Sequence, residues 1–128
     1  MTASPEFVTF VQELFAPLGG VSIRRMFGGA GIYSRGVMFG LIDEDTIYLK
    51  ADAESRKAFE ARGCGQFVYD GKGKPVAMSY WQMPPELVDD ADEALVWAKT
   101  ALAVAKAAKA AVPPSSRRIT LGAARRRR

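Results

Sequence analysis

The sequence has 128 residues, of which 48% are hydrophobic, 25% charged and 10% aromatic. That is the composition of one compact soluble domain, and it excludes a disordered, collagenous or two-domain chain. It contains no histidine and one cysteine, which excludes histidine-based catalysis, histidine metal ligation, zinc fingers and an internal disulfide; no metal or cofactor is expected.

No run approaches the roughly 18 apolar residues of a membrane-spanning helix, and Met1 to Glu6 lacks the basic-then-apolar pattern of a secretory signal. No membrane association is therefore expected. The net charge of +4 hides a division: residues 1–98 carry 9 Lys and Arg against 14 Asp and Glu, whereas residues 99–128 carry 9 basic residues and no acid. An acidic body thus precedes a basic arm, and any attraction to polyanions belongs to the arm.

In chain order, Ser4-Pro5-Glu6 reads as a helix start, with an N-cap hydroxyl, a proline of preset φ and an acid in the first turn. Phe7, Phe10, Val11, Leu14 and Leu18 then crowd one side, flanked by Val8 and Phe15, until Pro17 and Gly19-Gly20 end the helix. Val21 to Phe27 alternates as a strand and meets Gly28-Gly29-Ala30-Gly31, where a bulge or a close backbone approach is expected. Gly31 to Tyr33, Val37 to Ile42 and Ile47 to Lys50 follow as strands joined by turn sequences.

Asp52 caps a short helix expected from about Ala53 to Arg62, packed at an edge through Phe59 and stopped by Gly63. Gln66 to Tyr69 and Pro75 to Met83 are two more strands; in the second, Val76, Met78 and Tyr80 share one face and Ala77, Ser79 and Trp81 the other. Asp90 and Glu93 have capping-box spacing for a last helix reaching about Val112. These elements predict an α+β fold: a mainly antiparallel sheet of five to six strands packed with three helices, in the order helix, three or four strands, helix, two strands, helix. The expected domain is 1–112, followed by a flexible basic tail, 113–128.

Several residues invite a chemical reading. The glycine run is not a dinucleotide loop, because a strand rather than a helix follows it and no GxxxxGK[ST] occurs. Arg24 and Arg25 should point to opposite faces of their strand, one solvated and the other at an edge or paired with Asp43 or Asp45; the functional alternative is an anion or partner contact by Arg24 and Arg25 beside Gly28, Gly29 and Gly31. Tyr33, Tyr48, Tyr69, Tyr80 and Trp81 either line the core and its rim or form a stacking platform for single-stranded nucleic acid. Cys64 is expected to be an inert lone cysteine; the alternative is a thiol whose pKa Arg62 lowers, but no partner base makes it a nucleophile. No carboxylate pair is spaced for acid–base work, and no catalytic residue is expected.

The basic residues of the arm, Lys106, Lys109, Arg117, Arg118, Arg125, Arg126, Arg127 and Arg128, form a polycation suited to phosphate contacts without sequence information. A solvated, solubilising tail is the alternative.

Three segments together resemble the TfoX N-terminal domain of bacterial TfoX/Sxy-type competence regulators. They are Arg24-Arg25-Met26-Phe27-Gly28-Gly29-Ala30-Gly31-Ile32-Tyr33, then Val37-Met38-Phe39-Gly40-Leu41-Ile42 with Ile47-Tyr48-Leu49-Lys50, then Gly73-Lys74-Pro75 with Met78-Ser79-Tyr80-Trp81 and Pro84. The likeness runs from about Phe7 to Leu102. It implies a bacterial cytoplasmic protein with an α+β fold similar to the secretion-chaperone-like group, a two-layer sandwich. Full-length members couple this domain to a C-terminal one and work with the cAMP receptor protein on competence genes; here an alanine-lysine helix and the arginine tail follow, so a stand-alone N-terminal domain is expected.

The functional expectation is a non-enzymatic regulatory module that binds an unidentified protein partner, forms a homodimer through an open strand edge, and touches DNA non-specifically through the arm. The alternative is a small-molecule or anion-binding domain, including an enzymatic one, with its pocket near the glycine run.

Overall fold

The computed structural model describes residues 3–26, 29–69 and 76–111. Helix α1 spans Pro5–Phe15; Ser4 Oγ accepts the Phe7 N–H at 3.2 Å and Pro5 sits in the first turn, as the sequence predicts. It buries Val11, Leu14 and Phe15, whereas Phe7 and Phe10 are only half-buried. A 3₁₀ turn, Ala16–Leu18, follows, and Gly19 (φ 90°) and Gly20 (φ 64°) then turn the chain through left-handed backbone that glycine tolerates.

Four strands come next: β1 Val21–Met26, β2 Gly29–Ser34, β3 Val37–Asp43 and β4 Thr46–Lys50. Two tight turns join β2 to β3 and β3 to β4. Arg35 and Gly36 in the first, and Glu44 and Asp45 in the second, all have positive φ, the backbone whose twist matches a two-residue hairpin.

Helix α2 spans Arg56–Ala61, shorter than expected. Asp52 Oδ1 accepts the N–H groups of Glu54 at 3.0 Å and Ser55 at 2.7 Å, so it caps a turn and the helix begins only after it. Phe59 packs deeper than an edge, 3% exposed, with its ring 4.9 Å from Trp97 and 6.5 Å from Trp81. Strands β5 (Gln66–Tyr69) and β6 (Val76–Gln82), a 3₁₀ turn at Pro85–Asp89 and helix α3 (Ala91–Ala111) complete the chain order. Asp90 Oδ1 accepts the Glu93 N–H at 3.2 Å at the start of α3.

The strands form one antiparallel sheet in the order β1-β2-β3-β4-β6-β5. This is the predicted α+β architecture, with four strands before α2 and two after it. Helix α3 lies on β3 and β4, and α1 lies on β1 and α3. The core between them holds Phe15, Ile32, Phe39, Ile42 and Leu49, all at most 1% exposed, and the Phe15 and Phe39 rings meet edge-on at 5.7 Å. Trp81 joins this core beside Phe59.

The glycine run corrects the expected bulge. Gly29, Ala30 and Gly31 pair in regular register with Met26, Arg25 and Arg24, while Gly28 lies outside the described residues. The irregularity falls further on: Ile32 faces Gly40 and Tyr33 faces Met38, which leaves Phe39 as the extra residue. The physical reason is packing, since this is the residue whose ring is fully buried against Phe15. The second expectation, a close backbone approach, does hold at Gly29, where a Cβ would stand 2.2 Å from the Ile42 carbonyl oxygen.

Candidate functional site

Because strand side chains alternate, the residues that do not enter the helix-covered core point to the opposite face of the sheet. The registers place Arg24 and Met26 of β1, Gly31 and Tyr33 of β2, Met38 and Leu41 of β3, Tyr48 and Lys50 of β4 and Tyr80 of β6 there. This face is concave. Met26 of β1 and Met78 and Tyr80 of β6 line one cleft although three strands lie between β1 and β6.

The cleft measures about 430 Å³, and Gly29, Leu41, Asp43 and Phe67 complete much of its wall. Gly31 keeps the adjoining surface low: a Cβ there would come within 2.9 Å of Met26 Cε, 3.0 Å of Tyr33 Cε1 and 3.3 Å of Met38 Cε. The Tyr48 and Phe67 rings meet at 4.9 Å.

Cations occupy two of the ring faces. The Arg24 guanidinium lies 4.7 Å from the Tyr33 centroid and Lys50 Nζ 5.2 Å from that of Tyr80. Tyr80 is 9% exposed, and burial, with Tyr33 nearby, pushes its hydroxyl pKa up. Burial likewise raises Tyr48, helped by Asp43 and Glu44. The aromatic residues therefore divide: Trp81 is core, Tyr33, Tyr48 and Tyr80 line the concave face, and the Tyr69 side chain lies outside what the structure describes. Of these three rings Tyr80 lines the cleft, while Arg24 lies over Tyr33 and Lys50 over Tyr80 on the side a stacked base would use. Phe67 was missed by the sequence reading; its neighbours Gln66 and Val68 pair with Trp81 and Ala77, which share the other face of β6, so simple alternation turns Phe67 to the face of Met78 and Tyr80.

Asp43 is the charged group of the cleft. Its Oδ1 is buried and has no hydrogen-bond partner among the described residues. Burial, and Glu44 beside it, hold its carboxyl above the ordinary 3.8 against the weaker opposing pull of the N-terminal amine. Neither arginine reaches it. The two do point to opposite faces, but the pairing of one with Asp43 or Asp45 is not what forms: Arg25 Nη1 donates to the Ala3 carbonyl at 2.7 Å, and Asp45 Oδ1 accepts the Ser4 N–H at 2.8 Å. Both side chains thus tether the segment that leads into α1.

The TfoX N-terminal domain family matches residues 13–105. The chain belongs to this family. Among curated proteins it is similar to the DNA transformation protein TfoX1 of Aliivibrio fischeri, 30% identical over 77 residues, a stretch that is 60% of this chain and 35% of the relative. The chain thus spans about a third of the length of that relative. In this TfoX N-terminal domain the family match stops at Ala105, which is also the last buried residue of α3 among those whose burial is described. Lys106, Lys109 and the alanines between and beside them, through Ala110, are all exposed, so the helix has left the body where the basic stretch begins. Arg117, Arg118 and Arg125 to Arg128 lie outside the described residues.

Cys64 does not have the lowered thiol pKa of the alternative reading. It is 8% exposed, and burial, reinforced by Glu86, pushes its thiol pKa up against the opposing pull of Arg62. The Arg62 guanidinium is paired with the Glu86 carboxylate and lies 5.5 Å from the Trp97 centroid, so its charge is largely compensated. Among the described residues no cluster of acids and cysteine could hold a metal ion, and no helix is long and apolar enough to cross a membrane.

Proposed function

We propose that this chain is a non-enzymatic regulatory module of the TfoX N-terminal type, linked to transcriptional control of competence and acting in the cytoplasm. Its body binds a protein partner and its basic arm attaches loosely to DNA. The observation that carries the reading is the course of α3: it packs on β3 and β4 as far as Ala105 and then projects Lys106 and Lys109 clear of an acidic body. Charge arranged so holds a polyanion away from the carboxylates that would repel it. The buried Cys64, with its thiol pKa raised, supports the non-enzymatic part.

Strand β1, which pairs only with β2, is the natural place for a partner strand or a second copy of the chain to add, with Arg24 beside it. The anion-binding alternative at the glycine run has less to draw on. Arg25 is held by Ala3, Arg24 lies over Tyr33, and the neighbouring cleft carries a carboxylate.

Titration of the full chain with duplex DNA at several salt concentrations tests the arm. Engagement of four to six phosphates predicts a log–log slope of roughly −4 to −5. A chain ending at Ala111, which keeps Lys106 and Lys109 but loses the six arginines of the arm, is expected to lose most of this binding; unchanged affinity would overturn the arm as the contact. Light scattering that finds a strict monomer at high concentration would remove the homodimer.

A further inference from the structure

The face of the sheet opposite the helices curls around a cleft whose 430 Å³ lies within the roughly 300–1,000 Å³ of small-molecule sites. Met26, Met38 and Met78 supply three unbranched, polarizable side chains that reshape around an apolar guest, and Phe67 and Tyr80 supply flat rings. Gly29 and Gly31 keep space open where any larger residue would meet backbone or those methionines. In this apolar lining sits Asp43, with Oδ1 buried and unpartnered among the described residues. A carboxylate oxygen removed from water without a donor is costly; thioethers and hydrocarbon offer none, and the Tyr80 hydroxyl makes no hydrogen bond to it.

We propose that the cleft binds a small apolar molecule carrying an ammonium or amidinium group, its hydrocarbon part against the methionines and Phe67 and its N–H donated to Asp43. The charge complementarity comes from the Asp43 carboxylate oxygen that has no hydrogen-bond partner among the described residues. The curl of the sheet, which brings β1 and β6 to either side of the cleft, suits a compact molecule rather than an extended segment of another protein. This goes beyond the regulatory reading and does not depend on the arm: it gives the body a chemical input of its own.

The test is a titration of the full chain, labelled with ¹³C at the methionine methyls, with phenylbutylamine, phenylbutanol and phenylbutyrate. The methyls of Met26, Met38 and Met78 are expected to shift, while Met83, buried in the core on the other side of the sheet, stays still. The amine is expected to bind about tenfold tighter than the alcohol, and the carboxylate weakest. Asp43→Asn should abolish the preference for the amine while leaving the alcohol bound, with Met83 reporting that the fold is intact. Met78→Trp, which fills the cleft, should weaken all three.

Equal affinity for the three probes, preference for the carboxylate, or a Met83 shift as large as the others would overturn the proposal. The comparison on the unsubstituted chain decides this even if a variant fails to fold. Methyl shifts on dilution of the protein alone would assign the face to a second copy, and tighter binding of an apolar lysine-bearing peptide than of phenylbutylamine would assign it to a partner chain; either result also overturns it.

Discussion

Gly29 and Gly31 stand two residues apart on one strand and one face, yet a methyl group meets different neighbours at each. At Gly29 the nearest atom is the Ile42 carbonyl oxygen at 2.2 Å, part of a sheet that must move to make room. At Gly31 it is Met26 Cε at 2.9 Å, the far end of a flexible side chain. Gly29→Ala is therefore expected to lower stability by about 2 kcal/mol or more, and Gly31→Ala by less than about 1 kcal/mol, because only the first strains backbone. Urea denaturation distinguishes them, and equal losses would contradict the account. Asp43 adds a pH dependence. Its folded carboxyl titrates above the ordinary 3.8, so the unfolded chain ionises first and stability is lost as pH rises through the folded value. Asp43→Asn should thus match the parent near about pH 3, where both states are protonated, and exceed it near about pH 7. A gain confined to acid pH would reverse the sign. The close approach at Gly29 was legible in the sequence, but the burial of Asp43 was not: Asp43-Glu44-Asp45 reads as a turn, and only the packed sheet buries one of its oxygens.

At the scale of elements, local chemistry is most readable where the chain answers to itself. Ser4, Pro5 and the apolar run after them set α1 as expected, because a cap and a 3.6-residue period act within one turn. Ser4→Ala is expected to cost about 1 kcal/mol, and Ser4→Asp to restore most of it, in thermal or urea melts. A loss under a few tenths of a kcal/mol would mean the Ser4–Phe7 bond does not hold the helix start. Local reading weakens where long-range contacts compete. Asp52 has the right chemistry for a cap but closes a turn first, and α2 settles where Phe59 can reach Trp81 and Trp97. The extra residue of the β2–β3 pair is likewise placed by Phe15 on another element, so the glycines, though the stronger local signal, stay regular.

For the whole molecule, the division of charge and the division of packing coincide. The described part of α3 buries nothing beyond Ala105, and the basic residues begin to crowd from Lys106 onward. A chain ending at Ala111 is expected to keep its thermal midpoint within about 2 °C of the full chain while losing six arginines, which turns its net charge from +4 to −2. A much larger drop would show that residues 112–128 brace the body. The order of elements, the antiparallel pairing and the family likeness followed from the sequence alone, because alternation, caps, turn residues and short connections act over a few neighbours. The concave face and its cleft did not follow. Sheet curvature brings Met26, Met78 and Phe67 together from strands far apart in the chain, and it strands the Asp43 oxygen among apolar neighbours. That convergence is a property of how six strands twist and pack against the helices, which no local stretch of residues encodes.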